Sequence, residues 1–244
     1  MDKLNLVSVL KIILFLIVFA IFGISICFLG GKLEYNSSVV SALTYDDCTV
    51  IIDAGHGGED CGAIGVNGVY EKDINFAVAN GVAELLEKEG VNVILTRTQD
   101  KLLYTDEENI QGKKKYFDLK NRLAFAQQNP DALFVSIHMN KFEMESCRGM
   151  QVYFSTNTEK SKQLASSIQS VVTNALQPYN TRTIKATDGN IFLLDNAVGT
   201  AVLVECGFLS NYDECEKLSK KDYQGQLSFQ IFCGIMEYIR NQRI

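Results

Sequence analysis

With 244 residues and 47% hydrophobic content, the chain has material for one large or two small domains with a proper core. Its net charge of −6 at pH 7 argues against a nucleic-acid partner held by bulk charge. Seven cysteines without a CxxC pair argue against a disulfide scaffold, and their spacing assigns no pairs.

Residues 12–29 carry no charge, about 18 residues and the lower end of what spans a bilayer as a helix. Lys3 and Lys11 precede the run, so the positive-inside bias keeps the N-terminus cytoplasmic and exports everything after Lys32. The run has no polar face, unlike a helix at the edge of a core. We read residues 1–32 as a signal anchor; the alternative is a cleaved signal peptide, with Val40-Ser41-Ala42 as its small-residue site. Ile26 before Cys27 is too large for a lipoprotein processing site. Residues 33–48, with Asn36-Ser37-Ser38, read as a tether. Residues 1–32 hold three lysines and one acid, so the exported part carries −8.

Thr49-Val50-Ile51-Ile52 is a short β-branched and aliphatic run that enters the glycine-rich turn Asp53-Ala54-Gly55-His56-Gly57-Gly58, a buried strand with a ligand-type residue just past its carboxyl end. The loop continues through Gly62, Gly65 and Gly68, permissive backbone that can approach a bound ion. A phosphate-binding reading is weak, because no GxGxxG opens a helix and no Walker lysine follows.

Ile74, Val78, Val82, Leu85 and Leu86 follow helical spacing, with Asp73 as N-cap, Glu71 in the turn ahead of it and Gly90 past the end. Residues 91–96 are a second strand, and residues 97–115 are polar and loop-like; Lys113-Lys114-Lys115 within them reads as a solvated loop. A helix over 119–128 stops before Pro130. The third strand, 132–137, runs into His138, the only histidine besides His56. A fourth strand at 150–154 and an amphipathic helix ending before Pro178 follow. Residues 179–190 read as a loop, 191–194 as a short apolar piece, 201–205 as the last strand and 222–240 as the closing helix. Strands alternating with helices predict a single α/β domain over 49–244, with a largely parallel sheet flanked by helices and preceded by the N-terminal segment.

Four polar residues fall at strand ends and loop starts: His56, Glu71, His138 and Glu205. Catalytic zinc takes three protein ligands, His₂Glu among them, and leaves room for water. A further carboxylate can then act as general base. Spacing leaves open which carboxylate does which: Glu71 can fold back onto the ion of His56, or serve its own helix as a capping residue, while Glu205 projects from a rigid strand.

Asp53-Ala54-Gly55-His56-Gly57-Gly58, Glu71-Lys72-Asp73, Ser136-Ile137-His138-Met139-Asn140 and Val204-Glu205-Cys206-Gly207-Phe208-Leu209-Ser210-Asn211 resemble the four motifs of the zinc-dependent N-acetylmuramoyl-L-alanine amidases, the AmiC-like amidase type 3 family of bacterial cell-wall hydrolases. The resemblance spans residues 49 to about 240 and implies a single α/β domain with a mixed sheet. It implies that His56, Glu71 and His138 bind Zn²⁺ and that Glu205 is the catalytic glutamate. The substrate would be peptidoglycan, cut between the lactyl group of N-acetylmuramic acid and L-alanine of the stem peptide.

Met139 stands where the family favours a small residue and Thr200 where it often has proline; neither is expected to touch a proposed ligand, so both bear on substrate fit. Residues 155–160 leave no room for the inserted helix that blocks the metal in some division-associated relatives. A single anchored domain with no wall-binding repeat, and Cys206 after Glu205, resembles the germination-specific amidases that act on spore cortex during sporulation. This implies an exported enzyme, membrane-anchored or secreted, on the extracytoplasmic face of the forespore or spore envelope, with an accessory protein for activation or localisation. The competing readings are a vegetative amidase of division or autolysis, a cysteine hydrolase built on Cys206, and an inactive anchored wall-binding protein.

Overall fold

A computed structural model describes residues 47–243, together with Ile17 and Tyr45. Ile17 apart, the expected signal segment 1–32 lies outside the described residues, as does most of the tether 33–48. Among the described residues no helix is long and apolar enough to cross a membrane.

Six strands form one sheet in the order β2-β1-β3-β6-β4-β5: β1 (Thr49–Ala54), β2 (Asn92–Leu95), β3 (Leu133–Asn140), β4 (Gln151–Phe154), β5 (Lys185–Ala186) and β6 (Ala201–Phe208). The first four in that order are mutually parallel. β4 joins β6 antiparallel and β5 runs parallel to β4, which makes the sheet mixed as expected. The helices are α1 (Glu71–Lys88), α2 (Lys114–Gln128), α3 (Glu159–Leu176), α4 (Phe192–Asn196), α5 (Tyr212–Leu218) and α6 (Lys221–Asn241).

Strands covered on both sides read as continuous apolar runs, and alternation then deals their residues to two cores. Val50, Ile52, Val135, Ile137, Val202 and Val204 pack against Ile74, Val78 and Val82 of α1, Leu164 and Ile168 of α3, and Ile231 and Ile235 of α6. The opposite face takes Ile51, Phe134, Ala201 and Leu203 under Leu123 and Ala126 of α2 and Leu193 and Leu194 of α4. Continuing the alternation towards the carboxyl ends puts Asp53, Ser136, His138 and Glu205 on this second face. Asp53 stands beside Ser136 in register, and His138 beside Glu205. The smaller core thus gives way to a row of polar groups at the edge where an open α/β sheet places its site.

The polar row is anchored by a buried ion pair. Arg122 of α2 donates from Nη1 to Asp53 Oδ1 at 2.6 Å and from Nε to Asp118 Oδ2 at 2.8 Å, with all three side chains almost wholly buried. Thr96 and Ser136 donate to the remaining positions on Asp53, at 2.7 and 2.6 Å. Asp118 also accepts the backbone N–H of Leu103, which ties down the segment before α2.

Several boundaries differ from the sequence reading. Helix α1 begins at Glu71, with Tyr70 as a capless N-cap, so Asp73 is inside the first turn. Helix α2 starts at Lys114, five residues before Leu119, and Lys114 and Lys115 pair with Glu59 and Asp60 at 3.0 and 3.3 Å instead of standing free in a loop. The stretch read as a loop at 179–190 contributes β5, and α5 went unread because its seven residues, about two turns, fall short of the window in which a helical period stands out. Met139 and Thr200 are both buried, Met139 in the larger core and Thr200 at the amino end of β6, so neither side chain lines a substrate surface, and Met139, against expectation, touches Glu71 through its backbone N–H. The six described cysteines are free thiols.

Removing Arg122 leaves two carboxylates buried without their cation, so Arg122→Ala is expected to cost about 3–5 kcal/mol in a urea melt. Burial would raise the Asp53 carboxyl; Arg122, then Ser136 and Thr96, overcome it and hold it below its ordinary value of 3.8. With the folded value below the unfolded one, this stabilisation is complete above about pH 4. It is lost as pH falls through the folded value. Stability measured against pH should drop in that acid window, and Asp53→Asn should flatten the drop while lowering stability at neutral pH.

Candidate active site

At the end of β1 the chain turns sharply. His56 has φ of 61°, the one non-glycine residue with positive φ among those described, and Gly57 and Gly58 follow at 144° and 55°. The Gly57 and Asp60 backbones exchange hydrogen bonds of 3.0 Å in both directions, closing the turn. Buried cations hold its carbonyls: Arg122 Nη2 donates to His56 O at 2.7 Å and Nη1 to Ala54 O at 2.7 Å, while Arg97 Nε donates to Ala54 O at 2.9 Å. A strained backbone at the end of a central strand is thereby held where its side chain faces the polar row.

The loop then returns to place Glu71 on the same spot. Its carboxylate does not cap its own helix. Oε2 accepts Ala63 N–H at 2.8 Å, and Oε1 accepts Met139 N–H at 3.1 Å and Asn75 Nδ2 at 3.2 Å. His138 Nδ1 lies 2.9 Å from Oε1 and His56 Nε2 lies 3.3 Å from Oε2. One donor atom from each of His56, Glu71 and His138 lies within 4.8 Å of the others, and the imidazole centroids are 5.0 Å apart at 75°. Two glycines make this convergence possible. A Cβ on Gly55 would sit 2.2 Å from His138 Cε1, and one on Gly62, already at φ +66°, would sit 2.5 Å from Glu71 Oε2 and 2.7 Å from His56 Cδ2.

Glu205 stands beside His138 in the β3–β6 register, at the place where a register shift bends β3 before Asn140. Its residue surface is partly exposed, yet Oε2 is buried and has no hydrogen-bond partner among the described residues. Burial pushes its carboxyl up to about 7, with His138 opposing and Glu71 adding to the rise. Glu71 behaves oppositely: burial disfavours its charge, but the two histidines hold it far below the carboxylate range. Burial would lower His56, whereas Asp60 and Glu71 outweigh it and push it to about 9. The two carboxylates thus shift in opposite directions, Glu71 held charged and Glu205 biased to protonate, which suits them to different roles.

All four residues singled out in the sequence are therefore brought together. Two imidazoles and a buried carboxylate are a donor set that fits zinc, and the orphaned oxygen of Glu205 is a fourth polar group aimed at no protein partner. Sequence reasoning passed over Arg122, Asp60 and Asn75. A charged residue on the apolar stripe of α2, between Leu119 and Leu123, was the available signal for Arg122. Cys206 alternates onto the other face of β6, is fully buried in the larger core, and burial raises its thiol well above the ordinary range. It is no nucleophile for this site.

The parallel-centred α/β sheet carries a His-Glu-His cluster and a second carboxylate at its carboxyl edge, a donor set of the kind that holds a metal ion, and residues 50–237 match the N-acetylmuramoyl-L-alanine amidase family. The chain belongs to that family and is an enzyme of its class, an N-acetylmuramoyl-L-alanine amidase acting on peptidoglycan. The uncharacterized protein YqiI of Bacillus subtilis is 38% identical over 216 residues, 88% of this chain and 96% of the relative. The germination-specific N-acetylmuramoyl-L-alanine amidase of the same organism is 32% identical over 189 residues, 78% of each chain. Among solved structures, the CwlD amidase of Clostridioides difficile, in complex with the GerS lipoprotein, is similar with a TM-score of 0.76 and 39% identity, over 80% of this chain and 99% of that one.

Because Gly62 combines left-handed backbone with contact to two site residues, Gly62→Ala is expected to lower stability by about 1–3 kcal/mol. Thermal melting checks this, and the variant should also bind less zinc per chain than the unaltered protein.

Proposed function

We propose that His56, Glu71 and His138 hold a zinc ion and that Glu205 is the general base and acid of the amidase reaction. The observation that carries this reading is the convergence of the three donor groups within 4.8 Å, with Glu205 in register beside His138. Held by these three residues, a zinc ion would supply Lewis acidity toward water and the lactyl carbonyl. Glu205 accepts a proton from the attacking water through Oε2, its buried and unpartnered oxygen. As the new C–O bond forms at the lactyl carbon and the C–N bond breaks, the same carboxyl returns the proton to the departing nitrogen of L-alanine. Glu71, held charged by its hydrogen bonds, is suited to binding a cation and not to moving protons.

The finer reading is cortex peptidoglycan of the spore. Its support is the likeness to the germination-specific amidase and to CwlD. The relative's association with a lipoprotein supports an accessory protein partner for this chain as well. The proposed organisation is a signal anchor or signal peptide over 1–32, a tether over 33–48 and a catalytic domain over 49–244, exported to the extracytoplasmic face. The vegetative alternative has support in the 31% identity to the amidase LytC of Bacillus subtilis, over 79% of this chain and 36% of that relative.

Glu205→Gln should keep zinc at one ion per chain while turnover falls by at least about 10²–10⁴. His56→Ala and His138→Ala should lose the metal itself. Metal analysis with mass spectrometry of released muropeptides reads both, and an active Glu205→Gln would remove that residue as the base. With zinc-loaded protein, stem peptides should be freed from spore cortex in preference to vegetative wall; equal release from both would favour the vegetative role.

A further inference from the structure

His56 is held at both ends of its side chain. On one side Nε2 faces Glu71 Oε2 at 3.3 Å; on the other, Nδ1 lies 2.8 Å from Asp60 Oδ2. Asp60 is not a loose surface acid. Its Oδ1 accepts the Gly62 N–H at 3.2 Å, its Oδ2 also meets Lys115 Nζ at 3.3 Å, its backbone closes the Gly57 turn, and its side chain is only 20% exposed. An imidazole has two nitrogens, and a carboxylate on one selects the tautomer that leaves the other with a free lone pair. The backbone alone cannot do this: His56 at positive φ is fixed in place by Arg122, but its ring can still rotate about the side-chain bonds.

We propose that Asp60 is the positioning residue of His56, accepting the Nδ1 proton so that the ring presents an unprotonated Nε2 to the ion it shares with Glu71 and His138. Asp60 touches neither substrate nor ion and acts through the ring. The inference rests on the reading of His56 as a zinc ligand.

The chain has two histidines, so ¹⁵N-histidine labelling gives spectra with two rings, which His138→Gln reduces to one for assignment. In the zinc-loaded full protein the His56 ring should carry its only proton on Nδ1, and zinc should shift its Nε2 signal relative to the metal-free chain, whose ring is protonated at neutral pH. Asp60→Ala should mix the tautomers and weaken zinc binding, read by competition with a chromophoric chelator, about 10–100-fold. Asp60→Asn, which retains an acceptor oxygen, should recover much of the affinity and the tautomer. Lys115→Ala, which breaks the outer ion pair and leaves the His56 contact, should bind zinc as the unaltered chain does. Melting temperatures of all variants separate these effects from unfolding. The proposal is overturned if Asp60→Ala binds zinc within about twofold of the unaltered chain with its tautomer unchanged, or if Lys115→Ala is as damaging as Asp60→Ala. If zinc leaves the His56 ring signals of the unaltered chain unmoved, the ligand reading itself falls and this inference with it.

Discussion

The buried contact between Arg122 and Asp53 is the constraint on which the site depends. One guanidinium neutralises the carboxylate at the end of β1, reaches Asp118 on its own helix, and donates to the carbonyls of Ala54 and His56. Such a pair is weak evidence for net stability, because desolvating three charges offsets most of their attraction. Its clearer consequence is positional. It fixes the height of α2 over the sheet and the exit direction of the chain at Gly55, and every donor of the cluster is placed relative to that exit.

The sheet supplies the second requirement, a single face. Residues two apart along β1, β3 and β6 go from Ile51, Phe134 and Leu203 to Asp53, Ser136 and Glu205, with His138 one step further on β3. A one-residue slip of β3 against β6 would send His138 into the larger core and separate it from Glu205. Register is protected by that core, since the same slip would drive Val135, Ile137, Val202 and Val204 out of it. Packing on one side of the sheet therefore guards catalytic geometry on the other.

Much of this was legible in the sequence because it rests on local pattern. Uniform apolar runs bounded by glycine or proline gave the four main strands, and histidines at two strand ends marked the site. Glu71 was less legible: a glutamate at the start of a helix ordinarily serves that helix, and its use by Ala63, Asn75 and Met139 depends on a loop return that no spacing encodes. Arg122 and Asp60 were missed for the same reason, since their partners lie across the sheet or on a strained turn. The two-residue β5 and the seven-residue α5 are too short to show a period, and tertiary contacts decide them: Asn211 caps α5, and its Glu214 accepts the N–H groups of Gly149 and Phe208.

The strain at His56 fits this division between local and tertiary causes. A non-glycine residue held in the left-handed region costs about 1–3 kcal/mol, and it persists only where its surroundings over-determine it. Here they do: the carbonyl is bound by Arg122, the turn by the Gly57–Asp60 pair, and the ring by Asp60 and Glu71. All of these contacts are made by the chain itself. The core and its buried ion pair therefore restrict how far two imidazoles and a carboxylate can rearrange around one point. Relaxing the turn would loosen that restriction. On the proposed reading of the cluster as a zinc site, the residues furthest from the chemistry, on α2 and in the strand registers, bear on cation affinity.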